Sequence, residues 1–320
     1  MQSMIKEKAV GYYSFVEDIK EMVNELMGEE FDIKIYKVTK NNSLELESLV
    51  ILKKGENYSP NIYLLPYYEA YMQGVSVFEL SERIVKVYKN YTVPTVHEKF
   101  SYTYDDVKAF VTYRLVSFHK NKKLLANIPF IKYLDLAITF HCLVRDDSDG
   151  IGTIRITNEH TQMWGVTQQE LMELAVHNTK NLFPYTIKSM EEVIWSMLNQ
   201  DKLQNAEDLQ ENMFDSCFDF GAGDTPHKMY VLSNYKGING ATCLLYDGVL
   251  KEFSDEIHSD FYILPSSIHE VILVPYHKTI SIKALKEMVV DVNQTQVARE
   301  EVLSDRIYFY SREADMISMY

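Results

Sequence analysis

From Leu134 to Val144 every even position is apolar: Leu134, Leu136, Ile138, Phe140, Cys142 and Val144. The odd positions Asp135, Thr139 and His141 are polar, although Ala137 and Leu143 are not. A period of two marks a strand with one buried face. The even positions are therefore expected inside, with Asp135 and His141 more accessible than their neighbours. Asp146-Asp-Ser-Asp-Gly150 supplies a hairpin turn, because Asp caps turns and Gly tolerates positive φ. The return strand, Gly152 to Thr157, points Ile154 and Ile156 to one side.

The rest of the chain alternates between the two periods. Tyr12, Phe15, Val16, Ile19, Met22, Val23 and Leu26 recur at helical spacing before Gly28, which predicts a helix over about Ile5 to Met27. Strands are expected over 31–38, 44–51 and 62–65, then a helix opened by the capping box Ser76-x-x-Glu79. Tyr91 to Thr103 reads as a linker, 105–109 as a short helical lead-in, 110–118 as a strand and 120–127 as a helical connection. Thr167-x-x-Glu170 and Ser189-x-x-Glu192 open two more helices. Asn199 to Lys228, rich in Asp, Glu, Gln and Asn, reads as a crossing between two halves. Beyond it come a strand at 229–232, a helix over 242–257, strands at 261–264 and 271–274, a helix carrying Ile282, Leu285, Met288, Val289 and Val292, and a final strand at 306–310.

The elements predict an α+β fold of mixed or antiparallel sheets flanked by helices. Three units are expected: 1–92, 104–200 and 228–320, the second a duplicate of the first. Set side by side, 62–91 and 153–182 align without a gap. Met72, Gly74, Val75, Glu79, Leu80, Glu82, Lys89 and Asn90 fall on Met163, Gly165, Val166, Glu170, Leu171, Glu173, Lys180 and Asn181. Repeated strand–connector–helix units follow from that pattern, each sheet-and-helix layer leaving apolar surface for a neighbour to cover.

Composition narrows the partners. The 320 residues are 46% hydrophobic with a net charge of −14, enough apolar material for a sizeable core. That charge disfavours nucleic acid and anionic membrane as partners, since phosphate binding needs clustered Lys and Arg. No apolar run is long enough for a membrane span, and no secretory leader is read. Cys142, Cys217 and Cys243 are odd in number and widely spaced, which argues against a disulfide framework and for a reducing, cytoplasmic setting. No metal site and no cofactor are expected.

Several stretches resemble a known family. They are Leu134-Asp-Leu-Ala-Ile138, Asn158-Glu-His160 with Met163-Trp-Gly-Val-Thr167, Ile187-Lys-Ser-Met190, Asp260-Phe-Tyr-Ile-Leu-Pro-Ser-Ser-Ile-His-Glu-Val-Ile-Leu-Val-Pro275, Val292-Asn-Gln-Thr-Gln-Val297 and Glu300-Glu-Val-Leu-Ser-Asp305. Together they are similar to the bacterial domain-of-unknown-function family 5688, over nearly the whole chain. The resemblance implies one cytosolic protein type and supplies no activity or catalytic residue.

Two constellations carry candidate chemistry. Asn158, Glu159, His160 and Trp164 follow a strand, where binding groups often project. A Glu–His pair suits general acid–base work. A connector whose polar groups satisfy backbone and whose Trp packs on the core accounts for the same residues. Ser266, Ser267, His269 and Glu270 are hydrolase residue types, but there is no G-x-S-x-G elbow, and position 273 is Leu where a zincin helix has its second His. Asp146, Asp147 and Asp149 fit a hairpin tip better than a calcium loop, since Arg145 and Ile156 fall at ligand positions. Gly221-Ala-Gly-Asp224 lacks the Lys of a phosphate loop. A non-enzymatic binding or interaction module with a protein partner, served by 23 tyrosines, is the leading expectation. The alternative is a hydrolase-like enzyme using Glu159 with His160, or His269 with Glu270.

Overall fold

The computed structural model describes residues 2–55, 59–90, 102–147, 150–201 and 228–320. Residues 91–101 of the linker expected over 91–103, Asp149, and residues 202–227 of the crossing expected over 199–228, with Cys217 and the Gly221–Asp224 run, lie outside the described residues. The chain divides into two compact units, Met1–Pro94 and Thr95–Tyr320. The fold is α+β, and every strand pairing among the described residues is antiparallel.

In the first unit, helix α1 (Gln2–Met27) leads into strands β1 (Phe31–Thr39), β2 (Glu45–Lys53) and the two-residue β3 (Ile62–Tyr63), which pair in that order. Helices α2 (Leu65–Met72) and α3 (Val77–Asn90) follow. The helical-period residues Phe15, Val16, Ile19 and Val23 of α1 meet Leu80 and Ile84 of α3 over Leu49, Ile51 and Ile62 of the sheet. Periodicity thus chose the buried faces here.

The second unit begins with a single capped turn, α4 (Tyr104–Val107), and β4 (Val111–Ser117). Next come α5 (Lys122–Leu125), β5 (Phe130–Tyr133), β6 (Leu136–Asp147), β7 (Gly150–Arg155), α6 (Asn158–Trp164) and α7 (Gln168–Leu182). The 12-residue β6 pairs with β4 along one edge and with β5, then β7, along the other. A six-stranded sheet is built from β8 (Tyr185–Ser189), β9 (Tyr230–Asn234), β10 (Phe261–Leu264), β11 (Val271–Pro275), β12 (Tyr308–Ser311) and β13 (Met316–Met319). Its order is β13-β12-β10-β11-β9-β8. The described residues of the unit also form helices α8 (Met190–Asp201), α9 (Val249–Glu256) and α10 (Ile282–Thr295) and a 3-10 turn at Gly240–Leu245.

One apolar core joins these sheets. Leu136, Ile138, Phe140 and Cys142 of β6 meet Leu171 and Ala175 of α7, Phe253 of α9, and Phe261, Ile263, Leu273 and Tyr308 of the six-stranded sheet. The opposite face of that sheet, through Tyr262, Leu264 and Val274, is covered by Leu285 and Val289 of α10.

Three expectations are corrected. The odd face of β6 is buried as well: Ala137, Thr139, His141 and Leu143 are all inside, and His141 is only 6% exposed. The cause is double cover. Ala137 packs with Val116, Leu125 and Ile128, and the long Arg114 side chain reaches from β4 to Thr153 Oγ1 at 2.8 Å. The helix expected over 242–257 is instead a 3-10 turn and α9, divided where Gly248 takes φ +82°. Finally, the stretches 65–72 and 158–164, expected as connectors, are helices.

Those two short helices end alike. Gly74 takes φ +97° and Gly165 φ +69°, the left-handed conformation that glycine adopts at no steric cost. Gly74 N–H donates to Tyr71 O and Val75 N–H to Ala70 O; Gly165 N–H donates to Gln162 O and Val166 N–H to Thr161 O. The helices that follow are capped alike too, Ser76 Oγ accepting from Glu79 N–H and Thr167 Oγ1 from Glu170 N–H, both at 3.2 Å. The strands before them differ, two residues in β3 against six in β7.

Candidate functional site

Helix α6 carries the first constellation. Thr157 caps it with a reciprocal pair of bonds: Thr157 Oγ1 accepts from His160 N–H at 3.3 Å, and His160 Nδ1 accepts from Thr157 N–H at 3.1 Å. The imidazole thus fills the place that a glutamate takes in Thr167–Glu170, satisfying an orphan donor at a helix start. Asn158 binds the preceding loop, its backbone N–H to Asn127 O at 3.1 Å and its Nδ2 to Ala126 O at 3.4 Å. Trp164 Nε1 donates to Tyr102 O at 3.2 Å, and its ring stacks on His160 with centroids 5.4 Å apart. Tyr102 closes the cluster edge-on to His160 at 4.9 Å. Burial holds the His160 pKa below its ordinary value, with Glu159 opposing the shift. Glu159 itself is exposed.

The second constellation lies between β10 and β11. Ser267 Oγ accepts from His269 N–H at 2.9 Å, and Ser267 pairs across a single bridge with Val302. Ser266 O accepts from Leu303 N–H. His269 O accepts from Ser233 Oγ at 2.7 Å, its Nδ1 accepts from Asn239 N–H at 3.3 Å, and its Nε2 faces Glu301 Oε1 at 3.3 Å. Its carboxylate neighbour is therefore Glu301, not the adjacent Glu270. Gly240 threads the same spot: a Cβ there would stand 2.1 Å from Ser233 Oγ and 2.4 Å from His269 O.

Sequence reasoning missed a third polar group. Arg114 sits opposite Thr139 in the β4–β6 register, and His141 lies between Thr112 and Arg155. His141 Nε2 is 3.2 Å from Thr139 Oγ1. Burial first, then Arg114 and Arg155, drive the His141 pKa well below its ordinary value, so the imidazole is neutral. Burial, then Arg155, lowers that of Arg114 to about 10. The only signal in the sequence was an arginine inside the apolar run Val111-Thr-Tyr-Arg-Leu-Val116.

Asp146 forms an ion pair with Lys236 Nζ at 2.6 Å, fastening the hairpin to the loop after β9. Burial pushes the Cys142 and Cys243 thiols up to about 12, which leaves little thiolate near neutral pH. Among the described residues no three His, Cys, Asp or Glu side chains converge to hold a metal ion. Nor, among them, is any helix long and apolar enough to cross a membrane.

A family of unknown function, DUF5688, has a family model that matches residues 12–312. The chain belongs to this family. The match spans both units, from α1 to the end of the six-stranded sheet's β12. No curated protein and no solved structure matches the chain significantly.

Proposed function

We propose that this DUF5688 member is a non-enzymatic binding or interaction module of the cytosol. The observation that carries the reading is the use made of the two candidate histidines. A general base needs an imidazole lone pair turned toward substrate. His160 gives the Nδ1 lone pair to the Thr157 amide and His269 gives its own to the Asn239 amide, which leaves each Nε2 as a donor. Ser267 Oγ likewise accepts a backbone amide and lies in a turn rather than on a nucleophile elbow. These groups are occupied in building the fold. The hydrolase-like alternative rests on His269 beside Glu301, a pair that remains partly exposed.

The test is turnover of a chromogenic ester, a phosphomonoester and a casein-derived peptide pool by the unaltered chain, by His160→Ala and by His269→Ala. The expected result is no turnover above the buffer rate by any of them. Turnover by the unaltered chain that disappears in either folded variant would establish the enzyme reading instead.

A further inference from the structure

A binding module needs a place to bind, and among the described residues there is a small, partly open polar cavity with a guanidinium in its wall. It lies where β4, β7 and the loop from β9 to the 3-10 turn meet, and its interior measures about 20 Å³. Thr112, Arg114, Thr153, Asn234, Asn239 and Thr242 contribute its polar wall. A single water needs roughly 10–15 Å³, so the space holds little more than one water and only the oxygen end of a ligand enters it.

Most of this wall is already committed. Thr112 Oγ1 donates to His141 O at 3.2 Å and Thr242 Oγ1 to Asn239 O at 2.8 Å. Asn234 uses both ends of its amide, Nδ2 on Ile238 O and Oδ1 on Lys236 N–H. Two donors are not used up. Arg114 has five N–H groups and spends one nitrogen, Nη2, on Thr153 Oγ1. The Asn239 carboxamide makes no hydrogen bond with the described residues, although its backbone N–H and C=O both do.

The charge balance is the stronger argument. Arg114 is half-buried and pairs with no carboxylate among the described residues, whereas a guanidinium withdrawn from water ordinarily gains a fork-shaped anionic partner. His141 beside it is neutral and offers no counter-charge. The Arg114–Thr153 bond is only part-buried, and among the described residues the other Arg114 nitrogens are not among the fully buried atoms that lack a partner.

We infer that this cavity is a binding site for a small oxyanion, a carboxylate or phosphate head held by the Arg114 fork and the Asn239 carboxamide. The inference deepens the binding reading above and rests on it. A net charge of −14 means that long-range attraction does not bring the anion in. Recognition is instead local: a guanidinium in a confined space meets a planar or tetrahedral oxygen cluster with two parallel bonds. The Thr153 hydroxyl holds the fork in place from the β7 side, accepting from Nη2 at 2.8 Å.

The test is an NMR titration of the full chain, following the Arg114 Nε–Hε resonance with sodium acetate, with inorganic phosphate, and with sodium chloride at matched ionic strength. The expected result is a saturable shift with acetate, with phosphate or with both, and no saturation with chloride. Which salt saturates assigns the carboxylate or the phosphate class. Arg114→Gln removes the fork, with the Trp164 indole resonance as its readout if the fold survives. Asn239→Asp keeps a residue that tolerates the left-handed backbone found there (φ 53°) while setting a negative charge against the anion. Tenfold or greater weakening in Asn239→Asp supports the site. Absence of saturation with both oxyanions, saturation by chloride alike, or equal affinity in Asn239→Asp overturns it. None of those outcomes touches the turnover result, so failure of the site and failure of the non-enzymatic reading are told apart.

Discussion

Tyr308 donates its phenolic hydrogen to Asp135 Oδ1 across 2.5 Å, and Ser304 Oγ donates to the other oxygen of that carboxylate at 2.6 Å. Asp135 belongs to the turn that feeds β6, Tyr308 to β12 and Ser304 to the loop before it. The carboxylate therefore fastens the four-stranded sheet to the six-stranded one. Burial, then the facing carboxylate, raises the Tyr308 pKa, which keeps the hydroxyl a donor. Hydrogen bonds to a charged group contribute about 1.5–3 kcal/mol, and a buried donor left without a partner costs a comparable amount.

Tyr308→Phe is accordingly expected to lower stability by about 2 kcal/mol. Asp135→Ala should cost more, about 3 kcal/mol, because it strands two donors at once. The double variant should fall short of the sum, since the residues share one network. Urea denaturation checks all three. Strict additivity would mean that the two groups act independently and that the fastening is misread.

Gly240→Ala is expected to be among the most damaging single changes in the second unit. The added methyl would meet Ser233 Oγ at 2.1 Å, His269 O at 2.4 Å and Asn234 N at 2.7 Å, two of them backbone atoms that cannot swing aside. Overpacking of this kind costs on the order of 3 kcal/mol or more. A melting temperature within a degree of the unaltered protein would contradict the close approach.

His141 predicts an acid-sensitive fold. Its native pKa is depressed below the ordinary 6.5, so the unfolded chain binds a proton that the folded chain refuses. Stability is then fully present above about pH 6.5 and is lost as pH falls below it, by up to about 1.4 kcal/mol for each pH unit. The depressed His160 adds in the same direction. Denaturation midpoints at pH 7.5, 6.5, 5.5 and 4.5 should decline, and His141→Gln should flatten the decline. An unchanged slope in that variant would mean that other groups carry the acid sensitivity.

Trp164 tests whether α6 serves the fold or a ligand. Trp164→Phe keeps the ring on His160 and loses the bond to Tyr102 O, a cost of about 1 kcal/mol. Trp164→Ala also empties the aromatic cluster and should cost about 3 kcal/mol. Near-parental stability in Trp164→Ala would point to a surface role instead.

The elements legible in the sequence were those with a sustained period. The strands at Phe261–Leu264 and Val271–Pro275, and the helix carrying Leu285 and Val289, emerged close to where the pattern placed them. Helices α2 and α6, of 8 and 7 residues, were not legible, because two turns show too little of the 3.6-residue repeat. Alternation also misjudged the odd face of β6. It reports which side chains are polar, and says nothing of a neighbour such as Arg114 that covers polar groups with its own chain. The polar crevice escaped for a related reason. Arg114, Thr153 and Asn239 come from β4, β7 and the loop after β9, and no local spacing links them. The His160 and His269 constellations were visible as residue types, whereas their backbone partners, Thr157 N–H and Asn239 N–H, are properties of the folded chain.

The central claim, that both candidate histidines spend their Nδ1 lone pairs on backbone amides, is most directly tested by long-range 1H–15N correlation of the imidazole rings at pH 7.5. The expected spectrum assigns His160 and His269 to the Nε2–H tautomer, each Nδ1 accepting from Thr157 or Asn239. An Nδ1–H tautomer at either residue, with its Nε2 lone pair unprotonated and open to a substrate, would contradict the account and restore that histidine as a general base.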